Sequence, residues 1–205
     1  MTTDFDPPAG ILREVVALAL REDFGLLGDL TSLAVIPEDA YGTGRFVSRA
    51  DAVLAGTAAA SEVFRQVDSD LVIAWTSPDG ADVLPGVAFG LVSGSLRSIL
   101  SAERTALNLL QHCSGVATLT RRYVRSADGK AQIRDTRKTL PGLRALEKAA
   151  VRAGGGFEWC VRVVDHASLP AGQPSWACSS QSCWQSKVRS VWEWSARPLN
   201  CASSR

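Results

Sequence analysis

Apolar positions along the first 156 residues fall into two periods, and each change of period marks an element. Over 10–22, Ile11, Leu12, Val15, Val16, Leu18 and Ala19 recur at i, i+3 and i+4, with Arg13, Glu14, Arg21 and Glu22 outside the stripe. That spacing predicts an amphipathic helix, broken afterwards by Gly25 and Gly28. Residues 42–48 and 52–55 read as strands, 57–67 as a helix, and 71–75 as a further short strand. Pro78-Asp79-Gly80 predicts a turn. Residues 87–92 read as a strand carrying Gly90, which implies close packing or a bulge there.

From Ser98 the longer period returns. Ile99, Leu100, Ala106, Leu107, Leu109 and Leu110 predict a buried helix, whose start is unmarked because Arg104 stands where a capping box after Ser101 would need an acid. Ser114-Gly115 is expected to interrupt it. A second helix over 116–124 follows, with Arg121, Arg122 and Arg125 near the end where cations favour the helix dipole. Asp128-Gly129 predicts a turn, 131–134 a short strand, and 143–153 a helix closed by Gly154. The order is mixed α/β to about residue 96, two helices, then a strand–loop–helix step. Such a step opens a parallel barrel or sheet, where ligands sit at the C-terminal strand ends.

Composition changes this picture in one place. The chain has 205 residues and a net charge of +1, enough for one or two domains and too little charge for a nucleic-acid-binding footprint. No apolar run is long enough to span a membrane, and the first ten residues, MTTDFDPPAG, lack the basic and apolar regions of a signal peptide. A cytoplasmic location with reduced cysteines is therefore expected. Residues 1–156 hold one Trp and one Cys, whereas 157–205 hold five Trp, four Cys and ten Ser. Hydrophobic periodicity fades at the same point.

Candidate chemistry concentrates at Asp135-Thr136-Arg137-Lys138-Thr139-Leu140-Pro141-Gly142-Leu143-Arg144. Six basic and two acidic residues lie between Arg134 and Arg152, a local charge of +4. Arg supplies a planar fork for a carboxylate and Lys a compact charge for a phosphate. The plainer reading is a solvated turn beside a surface helix. Glu103, Arg104 and Asn108 interrupt an apolar helix and read as an internal ion pair, a ligand arm or an interface pair. Glu22, Asp23 and Asp29 could hold a metal, although capping by Asp29 is the simpler use. His112 reads as a helix residue rather than a catalyst. Cys160, Cys178, Cys183 and Cys201 with His166 lack the spacing of a zinc site.

In order, Glu22-Asp23, Gly28-Asp29-Leu30-Thr31-Ser32, the run from Ser101 to Leu110, the run from Ser114 to Thr120, Asp135-Thr136-Arg137-Lys138-Thr139, and Pro141-Gly142-Leu143-Arg144 through Glu147-Lys148 to Gly156 resemble the quinolinate phosphoribosyltransferase family. The resemblance covers roughly residues 10–156. It implies an α+β N-terminal sandwich domain over 10–113 and the start of an incomplete α/β barrel over 114–156, the type II phosphoribosyltransferase fold. It implies transfer from phosphoribosyl pyrophosphate to quinolinate with loss of CO2, giving nicotinate mononucleotide in NAD biosynthesis, with Mg2+ accompanying the pyrophosphate. Arg137 would then hold a quinolinate carboxylate, with Lys138 and Thr136 beside it at the phosphoribosyl group. Arg104 would reach the neighbouring active site of a homodimer.

After Gly156 the family pattern stops. Its Asn-His-Arg and Ile-Lys-Asp-Asn-His segments, two later acids and Gly-rich phosphate loops have no counterpart, and Phe157-Glu158-Trp159-Cys160 stands instead. Residues 157–205 are accordingly expected to be an aberrant tail from out-of-frame translation, with a diverged natural tail as the rival. The chain is expected to be truncated relative to the family, inactive alone and poorly soluble. A non-catalytic subunit or interaction module pairing with a full-length homologue is the alternative function. Action on another pyridine or pyrimidine carboxylate is a variant within the enzyme reading.

Overall fold

The computed structural model describes residues 6–158 and the backbone of residues 192–198. Helix α1 (Ala9–Phe24) buries Leu12, Val16 and Leu20, one stripe of the predicted amphipathic helix. A short helix α2 (Leu30–Val35) follows, its first turn capped by Asp29, whose Oδ1 accepts from Ser32 N at 3.0 Å. Strand β1 (Tyr41–Ser48) alternates in burial, so Phe46 and Ser48 face inward while Tyr41 and Arg45 face out. The pair β2 (Ala52–Val53) and β4 (Asp82–Val83) forms a two-stranded ribbon, with α3 (Thr57–Val67) and β3 (Val72–Trp75) between them in sequence. Strand β5 (Ala88–Ser95) leads directly into α4 (Leu96–Ala127), and α5 (Arg144–Ala153) comes next.

The main sheet has the order β3-β5-β1-β6, where β6 (Trp192–Pro198) pairs antiparallel with the free edge of β1. Every pairing in this sheet is antiparallel. One face carries Phe46, Phe89 and Val92 into the core, where they meet buried residues of α1, α3 and α4. Phe46 packs edge-on against Phe64 of α3, and Trp75 Nε1 donates to Ser61 Oγ at 2.8 Å. Gly90 carries both features read from its position. The β1–β5 register slips beside it, between Phe46 and Val47, and a Cβ on Gly90 would lie 2.5 Å from the Trp75 ring.

Two predicted elements differ. The break at Ser114-Gly115 does not occur, and α4 runs unbroken for 32 residues. Ser114 is buried, and its hydroxyl accepts from Ala55 N and donates to Ala55 O, both at 3.1 Å. The polar residue thus satisfies the chain end of β2 instead of competing with its own helix. A mid-helix glycine costs about 1 kcal/mol, and burial of the adjoining Cys113, Val116 and Ala117 outweighs it. The start of α4 is capped by Ser95, whose Oγ accepts from Ser98 N. The strand expected at 131–134 reduces to a single parallel bridge, Arg134 to Phe157, because the described residues offer it one short partner.

The close of α5 explains three consecutive glycines. A Cβ on Gly154 would lie 2.5 Å from Ala117 O, and one on Gly156 would lie 2.6 Å from Val151. Gly155 has φ +87°, the left-handed turn that ends the helix. Leu146, Ala150 and Ala153 of α5 therefore join the same core as Val116 and Ala117 of α4. Among the described residues no helix is long and apolar enough to cross a membrane. The expectation of an aberrant tail concerns residues outside those described, apart from 157–158 and the backbone of β6. The zinc reading on Cys160, Cys178, Cys183, Cys201 and His166 also lies outside them.

Candidate active site

The basic loop begins at the bridge between Arg134 and Phe157. Phe157 N donates to Ile133 O at 2.8 Å, and Asp135 N donates to Phe157 O at 3.0 Å. Asp135 is buried, and its carboxylate pairs with Lys148 Nζ at 2.9 Å. Lys148 also meets Glu158 at 3.0 Å, and Arg152 of the following helical turn meets the same Glu158 at 3.1 Å. Burial pulls the Lys148 ammonium down, but its bonds to Asp135 and Glu158 outweigh that and raise it above the ordinary lysine value. Glu158 is held below the usual carboxylate range, first by the Lys148 hydrogen bond and then by Arg152.

Past Asp135 the chain turns outward. Thr136, Arg137 and Lys138 are all exposed. Thr136 Oγ1 accepts from Lys138 N at 3.1 Å, which tightens the turn. Among the described residues, neither the Arg137 guanidinium nor the Lys138 ammonium has an ion-pair partner. The far end of the loop returns to α5. Arg144 Nη2 donates to Arg137 O at 3.3 Å, Arg144 Nε to Thr139 Oγ1 at 3.2 Å, and Leu140 N to Glu147 Oε1 at 3.4 Å. Glu147 in turn meets His112 Nε2 of α4 at 3.0 Å. The structure thus gives His112 a partner on α5, within an unbroken α4.

Arg104 stands apart from the loop. It lies on the outer side of α4 with its side chain 78% exposed, and its partner is Asp23 of α1 at 3.8 Å. Asp23 also accepts from Thr105 Oγ1 at 3.1 Å. The three polar residues of this helix do not form a buried ionic group. Arg104 and Asn108 face solvent, and Glu103 alone is mostly covered. Burial pushes the Glu103 carboxyl up, against a smaller opposing pull from Arg104. Asp29 is held low, chiefly by the Ser32 hydroxyl, and Ser101 Oγ donates to its other oxygen at 2.9 Å.

The sequence reading missed Lys148 as the partner of the loop's acid, and Glu158 as the second partner of Lys148. The Lys-to-Asp separation of 13 residues shows no periodicity that could have linked them. Cys113 offers no nucleophile, because burial pushes its thiol up to about 12. A surface depression lined by Thr57, Ser61, Glu62 and Trp75 among others includes no loop residue. No cluster of His, Cys, Asp and Glu able to hold a metal occurs among the described residues.

Comparison with known proteins bears on this geometry. The family model for the quinolinate phosphoribosyl transferase N-terminal domain matches residues 29–114, and that for the C-terminal domain of the same family matches 116–195. Quinolinate phosphoribosyltransferase (decarboxylating) 2b, mitochondrial, of Nicotiana tabacum is 45% identical over 149 residues, covering 73% of this chain and 42% of the relative. Nicotinate-nucleotide pyrophosphorylase (carboxylating) of Mycobacterium leprae is 46% identical over 162 residues, covering 77% of this chain and 56% of the relative. The solved nicotinate-nucleotide pyrophosphorylase from Francisella tularensis superposes with a TM-score of 0.73 at 36% identity, over 80% of this chain and 59% of that one. The chain spans about half the length of the curated relatives it matches.

Proposed function

Since the chain belongs to the quinolinate phosphoribosyltransferase family, we propose that its loop at 136–138 binds the anionic reactants of phosphoribosyl transfer to quinolinate. The fold follows from that membership: an N-terminal α+β sandwich leading into the start of an incomplete α/β barrel. In the reaction quinolinate forms a bond to C1 of phosphoribosyl pyrophosphate, and pyrophosphate leaves with the bonding pair. One carboxylate is then lost as CO2, and the ring carbon that keeps the bonding pair takes a proton, giving nicotinate mononucleotide. Both reactants are polyanions, so their encounter needs fixed positive charge to offset repulsion. Arg137 takes a quinolinate carboxylate through its planar fork. Lys138 faces the phosphoribosyl group as a compact charge, and the Thr136 hydroxyl lies beside it.

One observation carries this reading. Two adjacent exposed cations have no ion-pair partner among the described residues, while the loop's own acid is buried against Lys148. Mg2+ enters as part of the phosphoribosyl pyrophosphate substrate. The nearby carboxylates do not fit a dedicated cage for it, since Asp135, Glu147 and Glu158 are already paired with Lys148, His112 and Arg152. A cytoplasmic location belongs to the same proposal, although the tobacco relative is named as mitochondrial.

A second reading rests on Arg104 and its surroundings. Leu26, Leu27, Leu30, Leu33 and Val35 are exposed by 55% or more around α2, an apolar surface next to the α1 end that holds Asp23. It suits a second copy, with Arg104 supplied to the partner's site. The chain would then act as a subunit. The test is formation of nicotinate mononucleotide from quinolinate and phosphoribosyl pyrophosphate. Product from the chain alone, lost in Arg137→Ala, supports the enzyme. Product only on mixing with a full-length relative lacking the equivalent of Arg104 supports the subunit. No product in either case, together with no quinolinate binding, contradicts both.

A further inference from the structure

Arg144, Glu147 and Lys148 occupy i, i+3 and i+4 on α5, and so share one face of the helix. All three touch the loop, each at a different point. Lys148 holds its first residue through the buried Asp135 carboxylate at 2.9 Å. Arg144 holds its middle through Arg137 O and Thr139 Oγ1. Glu147 holds its end by accepting from Leu140 N. None of these bonds uses the Arg137 guanidinium or the Lys138 ammonium.

Resting on the reading of this loop as the anion site, we propose that Arg144, Glu147 and Lys148 are positioning residues that clamp the 135–140 loop to α5 and leave Arg137 and Lys138 set for ligand. A flexible loop bearing two cations would lose the freedom of both side chains and of its backbone on binding. A loop held at start, middle and end has already lost the backbone part. Lys148 is the strongest of the three. Its partner has a side chain only 3% exposed, and removing the ammonium would leave the Asp135 charge buried without its principal cation. The link from Glu147 to His112 extends the clamp to α4, so the loop is fixed relative to the helix that also bears Arg104.

Two measurements on the full chain test this, with quinolinate as the probe. Amide hydrogen exchange over 135–140 is compared in the parent, Lys148→Met, Lys148→Arg and Arg144→Ala chains, and quinolinate affinity is measured in each. Arg144 is exposed, so its replacement leaves folding intact and keeps the test decisive if Lys148→Met does not fold. Loop exchange should rise and affinity fall by about tenfold in Lys148→Met and by about threefold in Arg144→Ala. Exchange in α1 and α3 should not change, and Lys148→Arg should restore most of the affinity. Unchanged loop exchange in Arg144→Ala and Lys148→Met, or faster exchange with undiminished affinity, overturns the positioning role. Undiminished affinity in Arg137→Ala overturns instead the reading of the loop as the anion site, while the exchange data still report whether the clamp exists.

Discussion

Glu103 and Arg104 are neighbours on α4 with opposite surroundings. Arg104 is in solvent and pairs with Asp23 at 3.8 Å, a surface contact worth about 0–1 kcal/mol. Glu103 is mostly covered, and burial raises its carboxyl. The sign of the consequence follows from linkage: a carboxyl raised in the fold is favoured protonated, so it weakens the fold progressively as pH rises above the unfolded value, and fully above the folded one. Glu103→Gln should therefore stabilise the chain at pH 7, and the gain should vanish as pH falls below the ordinary carboxylate range, near 4. Urea unfolding at pH 7 and pH 4 checks this. Asp29, Glu62 and Glu158 behave oppositely, since hydrogen bonds hold each carboxyl low. Their contribution is present above the unfolded value and is lost as pH falls through the folded one. At this scale the sequence displayed the residue types and hid their environments. A polar triplet in an apolar helix looks the same whether it points inward or out.

Elements were largely legible, because α1, α3, β1, β5 and α5 are each set by a local pattern. Where reading failed, the deciding partner lay far along the chain. Ser114 looks like a helix breaker until its hydroxyl is matched with Ala55, 59 residues away. The Gly154-Gly155-Gly156 run reads as the close of a helix, but the pattern does not show that two of its members mark close approach of backbone and side chains. Arg121 of α4 completes that junction by donating to Gly154 O, Ala153 O and Gly80 O at 3.0–3.1 Å. It thus caps the carbonyl end of α5 and ties it to the turn after β3. Gly154→Ala should push α5 off α4, since the added methyl meets Ala117 O, a backbone atom that cannot swing aside. The expected loss is about 1–3 kcal/mol in chemical denaturation. Arg121→Ala should cost a comparable amount, because three carbonyls lose their donor.

The whole molecule joins two parts through α4. Its first half closes the antiparallel sandwich, and its second half receives α5, which holds the basic loop. This explains why a family resemblance carried by scattered short motifs corresponds to one continuous core. Those motifs include the residues of the α4–α5 junction and of the loop as well as those that stay exposed. The +4 charge read between Arg134 and Arg152 resolves into two kinds. Arg144, Lys148 and Arg152 are spent on holding the loop and its surroundings and Arg134 meets Gln132, whereas Arg137 and Lys138 have no ion-pair partner among the described residues. The most direct test is a quinolinate titration of the isotope-labelled full chain followed by NMR, in the parent and in Arg137→Ala. Binding at the loop predicts saturable shifts centred on the amides of 136–138, with affinity reduced by at least about tenfold in Arg137→Ala, as expected for loss of a charge-assisted bidentate bond. Saturable binding centred elsewhere, or undiminished in Arg137→Ala, would contradict it.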